Sequence, residues 1–426
     1  MESEKRIAFF VRTLDLVFLK KDGVSLFPIF PKDSEEERIV KRELKFENFL
    51  PIELKRGNFI YEGPEKILKY SNLLSELEKN KIDYIFLTRI SKKIKKFLKG
   101  KIKILGDFSI DQKKFENKIF FERFLKRNNL SSGGKIFFRK IKYPPFKETV
   151  IQLPESSGGE GTFLAKSKSE FEKIMKKINP PFLIRKYFRG IPLGISFLVG
   201  KEIYFSAICR QCLDEGKNFR LGIFRGLQWL PFDFFPKKIL EILEEKMKRI
   251  SHALKKEGYF GWINIDFILE GKKIHFLEAN PRTTAATPQI FSFEELNGGV
   301  DFLELFLNKN AKFKGKEERV PKSNYQGAFL YLDFEKAKMP KFTKNIKKGG
   351  FYKIEKNGLK KEKLKNRFDF LGLKNFLFFY NELEENRVYW RKCDNGSIIS
   401  NFPLFDFEKG HLTEIGKKVF DFFEPK

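Results

Sequence analysis

The chain is organised around the segment Gly258-Tyr-Phe-Gly-Trp-Ile-Asn-Ile-Asp266-Phe-Ile-Leu-Glu-Gly-Lys-Lys-Ile-His-Phe-Leu-Glu278-Ala-Asn280-Pro-Arg282. Two runs rich in apolar and β-branched residues, Trp262–Leu269 and Ile274–Ala279, flank a short Glu-Gly-Lys-Lys connection. This pattern predicts a β-hairpin. We expect its two strands to be joined by a three-residue loop at Gly271–Lys273.

The predicted hairpin brings two acidic side chains together. With that loop, Asp266 lies opposite Glu278, and the alternation of side chains along a strand turns Asn280 to the same side as Glu278. Two carboxylates opposed in an apolar hairpin repel each other unless a positive group lies between them. Oxygen ligands on rigid strands suit Mg²⁺, which takes one or two carboxylates plus phosphate oxygens. The competing interpretation is that one acid is solvated and the other pairs with Arg282 or Lys272.

Length and composition indicate the class of protein. A chain of 426 residues with 41% hydrophobic residues can bury two or three domain cores, which excludes global disorder. The sequence has no apolar run of about 18 residues, and its start, Met-Glu-Ser-Glu-Lys-Arg, lacks a signal-peptide core. Three cysteines are too few for a disulfide framework and favour a reducing compartment. We therefore expect a cytoplasmic protein with no membrane partner.

The charge balance is strongly basic. The formal net charge is +29, from 85 Lys and Arg against 56 Asp and Glu. Such a balance raises nucleic-acid binding as an alternative function. The Lys excess is spread along the whole chain, however, and accompanies 52 Phe residues, which is typical of a genome-wide compositional bias. We favour a solvated Lys-rich surface that attracts small anions over nucleic acid as a partner.

Residues 1–108 are predicted to form a Rossmann-like α/β domain. Strands and helices alternate there, which favours a parallel sheet. The predicted strands are Arg6–Val11, Asp83–Leu87 and Lys101–Leu105, and the predicted helices are Pro64–Lys79 and Ser91–Leu98. No Gly-rich fingerprint follows the first strand, so no dinucleotide site is assigned to this domain.

The segment Asp111–Leu130 has the apolar spacing of one long amphipathic helix. Lys118 falls within its apolar sector. A lysine at such a position can simply cover the core with its aliphatic stem while its charge reaches water.

A glycine-rich loop follows the predicted strand Thr149–Leu153, with the sequence Pro154-Glu-Ser-Ser157-Gly158-Gly159-Glu160-Gly161-Thr162. The backbone N–H groups of such a loop can approach a phosphate closely without side-chain charge. The Gly-Lys-Ser/Thr ending of a Walker loop is missing. A hairpin turn without a ligand is the alternative.

A second short motif, Cys209-Arg-Gln-Cys212, has the spacing of half a zinc or redox site. Only Cys393 remains elsewhere, and strand alternation puts Cys209 and Cys212 on opposite faces. We therefore expect no metal at these cysteines.

Taken in order, these motifs resemble the ATP-grasp superfamily over about residues 1–310, and most closely its biotin-carboxylase-like and carboxylate–amine ligase branches. The resemblance rests on Lys118, the glycine-rich loop, the strand Leu183-Ile-Arg-Lys-Tyr-Phe-Arg-Gly190 and the Glu278-Ala-Asn-Pro-Arg282 end with its upstream Asp266. It implies a mixed α/β and α+β fold with three parts. These are a Rossmann-like pre-ATP-grasp domain (1–108), a two-lobed ATP-grasp domain (109–310, with lobes 109–190 and 191–310) and a C-terminal α+β extension (323–426).

The resemblance also implies roles for particular residues. Asp266, Glu278 and Asn280 would hold one or two Mg²⁺ ions, or alternatively Mn²⁺. Lys118 would reach the α- and β-phosphates of ATP, and Arg282 would face the reacting carboxylate, which makes these two the candidate catalytic residues. The remaining implied nucleotide contacts are the mobile flap Ser157, Gly158, Gly159, Gly161 and Thr162, the adenine-facing backbone of Lys186 to Phe188, and Gln211 near the phosphates.

Three positions depart from the family pattern. Gln152 stands where a second lysine is usual, Arg185 where a glutamate is usual, and Glu160 where a basic residue is common. We keep Gln152 and Arg185 as candidate nucleotide-binding residues.

The implied function is an ATP-dependent ligase that activates a small-molecule carboxylate as an acyl-phosphate and couples it to an amine. Alternatives are a biotin-carboxylase-like carboxylase, which the missing Met-Lys-Met carrier motif disfavours, and a non-catalytic ATP-grasp domain. In residues 323–426 the pattern predicts strands at Gly327–Asp333, Gly350–Ile354 and Arg387–Arg391 and a helix at Ile415–Phe423.

Overall fold

The structure is a computed structural model. It describes residues 4–11, 14–53, 72–88, 90–98, 100–105, 112–156, 158–159, 161–214, 219–293, 296–308, 318–333, 341–342, 346–356, 358–381, 388–389 and 394–423. Ser157, Glu160 and Cys393 lie outside these ranges, as do the first part of the expected helix Pro64–Lys79 and the ends of the expected strand Arg387–Arg391.

The N-terminal unit is a parallel sheet of five strands in the order β3-β2-β1-β4-β5. The strands are β1 (Lys5–Phe10), β2 (Val24–Pro31), β3 (Leu50–Ile52), β4 (Tyr84–Phe86) and β5 (Lys103–Leu105). The helices of this unit are α1 (Glu35–Arg38), which continues into a π-helical turn at Ile39–Glu43, α2 (Leu73–Lys79) and α3 (Lys92–Leu98). The Rossmann-like prediction is confirmed.

The single long helix expected over Asp111–Leu130 is wrong. Two helices occupy this segment, α4 (Gln112–Glu116) and α5 (Lys118–Arg127). The break is at Asn117, whose side-chain oxygen accepts hydrogen bonds from the backbone N–H groups of Ile119 and Phe120, both at 3.1 Å. An Asn at the N-cap satisfies amide donors that would otherwise be unpaired. A new helix therefore begins at Lys118.

The first lobe is an antiparallel sheet in the order β6-β9-β7-β8. Its elements are β6 (Lys135–Phe137), β7 (Thr149–Gln152), β8 (Thr162–Ala165), α6 (Lys168–Lys177) and β9 (Phe182–Lys186). Helix α6 packs on one face through Phe171 and Ile174, which join Ile151 and Ile184 in one buried cluster. Because side chains alternate along a strand, Gln152 and Arg185 belong to the opposite face.

The second lobe is part of one antiparallel sheet of ten strands, in the order β14-β13-β10-β11-β12-β15-β21-β19-β17-β18. The strands from residue 191 onward are β10 (Ile191–Val199), β11 (Ile203–Asp214), β12 (Ile223–Trp229), β13 (Gly261–Glu270), β14 (Lys273–Asn280), β15 (Ala328–Asp333), β16 (Lys341–Phe342), β17 (Gly350–Glu355), β18 (Gly358–Glu362), β19 (Phe376–Asn381), β20 (Val388–Tyr389) and β21 (Asp394–Ser400). Strands β16 and β20 form a separate pair.

The helices of this half are α7 (Lys237–Lys256), α8 (Thr287–Ser292), α9 (Phe302–Leu307), α10 (Asp369–Gly372) and α11 (Glu414–Phe423), and a 3₁₀ turn spans Phe232–Phe234. Apart from the β16 and β20 pair, the described strands of the C-terminal region belong to the second-lobe sheet. Strand β12 pairs with β15, with Gln228 opposite Ala328, and so carries the second-lobe sheet into residues 323–426.

Helix α7 determines which face of the second-lobe sheet remains for polar groups. Its apolar positions Leu243, Met247 and Leu254 recur at helical spacing and are buried. Burying each contributes roughly 1.5–3 kcal/mol. They share one core with Ile265 and Phe267 of β13. The alternate residues of β13 therefore project from the opposite face.

Candidate active site

The hairpin formed by β13 and β14 places Asp266 opposite Glu278, as expected, and also places Asn264 opposite Asn280. The expected three-residue loop is wrong. Glu270 pairs with Lys273, so the turn has two residues, and a β-bulge beyond Asp266 shifts the register by one. The bulge and the shorter turn compensate each other, because each changes the pairing by a single residue. The two carboxylates therefore still face one another.

Asp266 is held by amide groups on three strands. The amide nitrogens of Asn264 and Asn280 donate to its two carboxylate oxygens at 2.6 and 3.0 Å, and the side chain of Gln211 on β11 also hydrogen-bonds to it. The residue is 6% exposed. Burial, followed by the negative charge of Glu278, raises the pKa of Asp266 well above its ordinary value. Among the described residues, no positive neighbour forms an ion pair with this carboxyl group that would keep it ionised.

Glu278 has such a neighbour in Lys118. The Lys118 Nζ lies 2.9 Å from Glu278 Oε2, and the lysine side chain is 4% exposed. Desolvation raises the pKa of Glu278, but the charge and hydrogen bond of Lys118 outweigh it, and the net pKa is lowered. Lys118 is therefore not a lysine that only covers the core with its stem. It is the counter-ion of the hairpin.

Lys118 also connects the hairpin to the glycine-rich loop, which we define as residues 154–162. Its Nζ donates to the Ser156 carbonyl at 2.8 Å, and its backbone N–H donates to the Pro154 carbonyl at 3.0 Å. Gly158 and Gly159 both have positive φ, at 61° and 83°. The loop thus begins beside the N-terminus of α5 and near both carboxylates.

The far end of the glycine-rich loop contacts the second lobe. Leu221 N–H donates to the Thr162 carbonyl at 2.9 Å. A Cβ atom on Gly159 would lie 2.0 Å from the Gly222 carbonyl oxygen, so only glycine allows this approach. The loop therefore bridges the two lobes next to the hairpin.

Arg282 lies at the end of β14 beside the metal-ligand candidates. Its Nε donates to Glu116 Oε1 at 2.6 Å, and its Nη2 approaches Asn280 Oδ1 at 3.4 Å. The next residue, Thr283, donates to buried Asp15 of the N-terminal unit at 3.4 Å. Glu116, Asn264 and Asp15 were missed by the sequence analysis. The alternation of β13 could have identified Asn264, but no local signal marks the other two.

Gln152 and Arg185 form a second buried group. Arg185 donates to Gln152 Oε1 and, at 2.9 Å, to Glu122 Oε2, and the side chains of Arg185 and Glu122 are 1% and 0% exposed. Glu122 lies four residues after Lys118 on α5, so their Cβ atoms are about 5–6 Å apart on one helix face. Two of the three departures from the family pattern, Gln152 and Arg185, therefore lie about one helical turn away from the Lys118 and Glu278 pair.

The strand that the resemblance assigns to adenine is β9 and its continuation. Tyr187 N–H donates to the Glu148 carbonyl at 3.1 Å, so in an antiparallel ladder the backbone groups of Lys186 and Phe188 point away from β7. The ring of Phe188 stacks on His275 with centroids 3.8 Å apart. Backbone groups at this sheet edge can pair with the edge of a planar base.

The oxygen-bearing side chains at this site are of the type that binds Mg²⁺, the cation that the resemblance implies. Two carboxylates, Asp266 and Glu278, face each other in a poorly hydrated position with the Asn280 amide next to them. Within the described residues, no cluster of three or more Asp, Glu, His or Cys side chains could hold a metal by itself. A cation held by two carboxylates and an amide oxygen would need further oxygen ligands, as Mg²⁺ takes from phosphates. Cys209 lies on β11 beside Asp266, with Gly194 of β10 opposite both residues, whereas Cys212 belongs to a different core cluster, so the two thiols do not form a joint metal site.

Comparisons with known proteins agree with this geometry. Residues 115–286 match the family model of the ATP-grasp domain. The carbamoyl phosphate synthase large chain of Clostridium acetobutylicum is 23% identical over 243 residues, which are 54% of this chain and 22% of that protein. Tyramine–L-glutamate ligase of Methanocaldococcus jannaschii is 24% identical over 284 residues, 66% of this chain and 78% of the ligase.

A solved structure extends the similarity beyond the matched domain. The biotin carboxylase from Campylobacter jejuni, solved as a beta-gamma-ATP complex, superposes with a TM-score of 0.60 at 14% identity and covers 93% of this chain and 87% of its own. That likeness concerns the fold.

In the part of the chain that the structure describes, no helix has both the length and the apolar character needed to cross a bilayer. The family match, the shared fold and the hairpin geometry together identify residues 115–286 of this chain as an ATP-grasp domain.

Proposed function

We propose that this protein is an ATP-dependent ligase that activates a carboxylate as an acyl-phosphate and couples it to an amine, with release of ADP and phosphate. The observation that carries the proposal is the contact of Lys118 with Glu278 and with the glycine-rich loop at 2.9 and 2.8 Å. Lys118 thereby links the candidate metal ligands to a loop whose glycine-rich sequence suits phosphate binding. The sequence similarity to tyramine–L-glutamate ligase supports the reaction class.

Asp266, Glu278 and Asn280 would hold Mg²⁺, which when bound to nucleotide phosphates neutralises their charge and fixes their orientation. The protein side chains address the remaining electrostatic problem. A carboxylate that attacks ATP brings two anions together, and cationic groups in a water-poor cleft reduce that repulsion. Lys118 contacts Glu278 and Arg282 contacts Asn280, so each would place a cation beside the metal ligands.

In the first step, a carboxylate oxygen of the substrate attacks the γ-phosphorus. The bond between that phosphorus and the β,γ-bridging oxygen breaks, and ADP leaves. In the second step, the amine nitrogen attacks the acyl carbon, phosphate departs with the bonding electron pair, and the nitrogen loses a proton. Arg282 lies at the strand end next to Asn280, where it would orient the substrate carboxylate. The glycine-rich loop would exclude water from the acyl-phosphate.

The proposal is tested by screening mixtures of acids and amines for phosphate release from ATP, with bicarbonate among the acids. We expect ADP and phosphate to appear when one matching acid and amine are both present. Glu278→Gln should abolish this turnover, while Glu241→Gln, the same change at an exposed position of α7, should leave it intact. Full activity of the Glu278→Gln variant would refute the assignment of Glu278 as a metal ligand. Phosphate release that needs bicarbonate and no amine would point to a carboxylase instead.

A further inference from the structure

A second cavity lies away from the candidate active site. It has a volume of about 460 Å³ and is lined by residues 19–26 and 44–48 of the N-terminal unit and by residues 365–368 of the C-terminal region. This volume falls in the range of small-molecule sites, roughly 300–1,000 Å³. The cavity is therefore large enough for a metabolite and is built from two parts of the chain that are far apart in sequence.

The parallel sheet separates this cavity from the candidate active site. Val24, at the start of β2, pairs with Lys5 at the start of β1. The contact between Asp15 and Thr283 follows the other end of β1, where Leu14 N–H donates to the Val11 carbonyl at 2.9 Å. Six strand residues at about 3.3 Å each put the two ends about 20 Å apart. The cavity lies at the amino end and the candidate active site at the carboxyl end.

The lining of the cavity is basic. Five of its residues are cationic and two, Asp22 and Glu47, are acidic. One cation is already neutralised, because Lys21 Nζ lies 2.6 Å from Asp301 and 3.0 Å from Glu304. The other four cations are Lys20, Lys45, Lys365 and Arg367. Even when Asp301 and Glu304 are counted together with Asp22 and Glu47, the five cations leave a formal excess of one positive charge, so the cavity attracts anions.

Arg367 is held in the wall of this cavity by its flat faces. Its guanidinium lies 3.8 Å from the ring centroid of Phe46 and 4.2 Å from that of Phe368. Its Nε donates to the Val17 carbonyl at 3.0 Å and its Nη1 to the Leu44 carbonyl at 3.5 Å. Among the described residues no carboxylate forms an ion pair with it. The guanidinium is thus fixed in orientation by two aromatic rings and two backbone carbonyl groups, all of them uncharged.

The charge of Arg367 is incompletely balanced. Burial lowers the pKa of Arg367 to about 10, against the opposing effect of Glu47. The guanidinium therefore stays charged at neutral pH but is poorly solvated. A guanidinium in this situation gains most from a charged acceptor, since charge-assisted hydrogen bonds are stronger than neutral ones.

We propose that this cavity binds a small phosphorylated molecule, with the Arg367 guanidinium on the phosphate and Lys20 and Lys365 balancing its second charge. A phosphate monoester carries about −1.5 to −2 at neutral pH and three acceptor oxygens, so it can accept hydrogen bonds from the guanidinium and from both lysines at once, which the two oxygens of a carboxylate do less well. The volume exceeds that of a free phosphate, so the ligand has a further organic part. Binding would hold residues 365–368 against the N-terminal unit.

The test is a calorimetric titration of the full chain with ribose 5-phosphate, inorganic phosphate and succinate, each with MgADP in excess to occupy the nucleotide site. We expect saturable binding that is tightest for ribose 5-phosphate. Arg367→Met should weaken it about tenfold or more, the magnitude of losing hydrogen bonds to a charged group. The matched control is Arg249→Met, which removes one exposed charge from α7.

Absence of saturable binding by either phosphate probe would overturn the proposal, as would equal affinity in Arg367→Met and the unmodified protein. Tighter binding of succinate than of ribose 5-phosphate would overturn the choice of phosphate. If Arg367→Met does not fold, Lys20→Met with Lys365→Met removes two exposed cations without removing buried contacts, and should weaken binding several-fold. If MgADP does not bind, that result counts against the proposed ligase function. The titration with the two phosphate probes can still be interpreted, because it concerns the other cavity.

Discussion

The buried ion pair between Glu122 and Arg185 gives a sharp test of how the first lobe is held to α5. Replacing Glu122 by Gln keeps the side-chain shape and leaves the Arg185 charge with a neutral partner. Both side chains are almost completely buried, at 0% and 1% exposure, and the pair is 2.9 Å long. Removing one partner from such a pair destabilises a protein by about 3–5 kcal/mol, because the remaining charge is buried without compensation.

Within that range we expect Glu122→Gln to fall near about 3 kcal/mol, because the amide oxygen can still accept one hydrogen bond from Arg185. Arg185→Met should reach about 4 kcal/mol or more, because among the described residues the Glu122 carboxylate then keeps one side-chain donor, the Ser131 hydroxyl. The double variant Glu122→Gln with Arg185→Met should be less destabilised than the sum of these two single changes, by about 2–3 kcal/mol.

The assay is urea denaturation, with hydrogen exchange of α5 and β9 to localise the effect in a chain of several units. The control is Glu148→Gln, which breaks the pair with Arg189 in the same lobe. Arg189 is 70% exposed, so this change should stay within about 1 kcal/mol. If both buried single variants lose less than the control and their effects add, the reasoning about an uncompensated charge is refuted.

Three further predictions concern the candidate active site. Lys118→Met should abolish turnover and weaken ATP binding, measured by titration, because Glu278 loses its counter-ion. Asp266→Asn should flatten the pH dependence of stability of the metal-free protein. Burial and Glu278 raise the pKa of Asp266, so the folded state binds that proton more tightly than the unfolded chain, and stability falls as pH rises from the ordinary value through the raised one. Gly159→Ala should lower turnover through the clash with the second lobe, whereas Gly158→Ala meets open space and should lose only about 1 kcal/mol of stability from its positive φ.

The pairing of Asp266 with Glu278 could be predicted from the sequence because it depends on local alternation and a short connection. The exact turn could not. A two-residue turn combined with a bulge gives the same opposition as a three-residue turn, and both agree with the apolar pattern. The break at Asn117 was missed for a similar reason. The apolar periodicity of the sequence continues through Asn117. The boundary between α4 and α5 is instead set by the hydrogen bonds of the Asn117 side chain to the start of α5.

Other features depend on pairings between distant residues. The C-terminal region extends the second-lobe sheet through β12 and β15, and no local pattern in residues 323–426 specifies that neighbour. Glu116 reaches the site because α4 ends beside Arg282, a contact between residues 166 positions apart. The cavity lined by Arg367 likewise joins the two ends of the chain. Sequence periodicity gives the elements, while such contacts are set by how the elements pack.

The ion pair between Lys118 and Glu278 suggests how one lysine could serve both the hairpin and, in the proposed reaction, the nucleotide phosphates. In this structure Lys118 balances Glu278, and its Nζ also touches the Ser156 carbonyl at the start of the glycine-rich loop. Once Glu278 has a cation as its partner, the attraction that holds Lys118 on it is largely neutralised. Lys118 then needs a new anion, and the nearest place for one is the loop that it already contacts. The same side chain would therefore hold the hairpin and the glycine-rich loop together without a nucleotide and bind the phosphates of a nucleotide that enters.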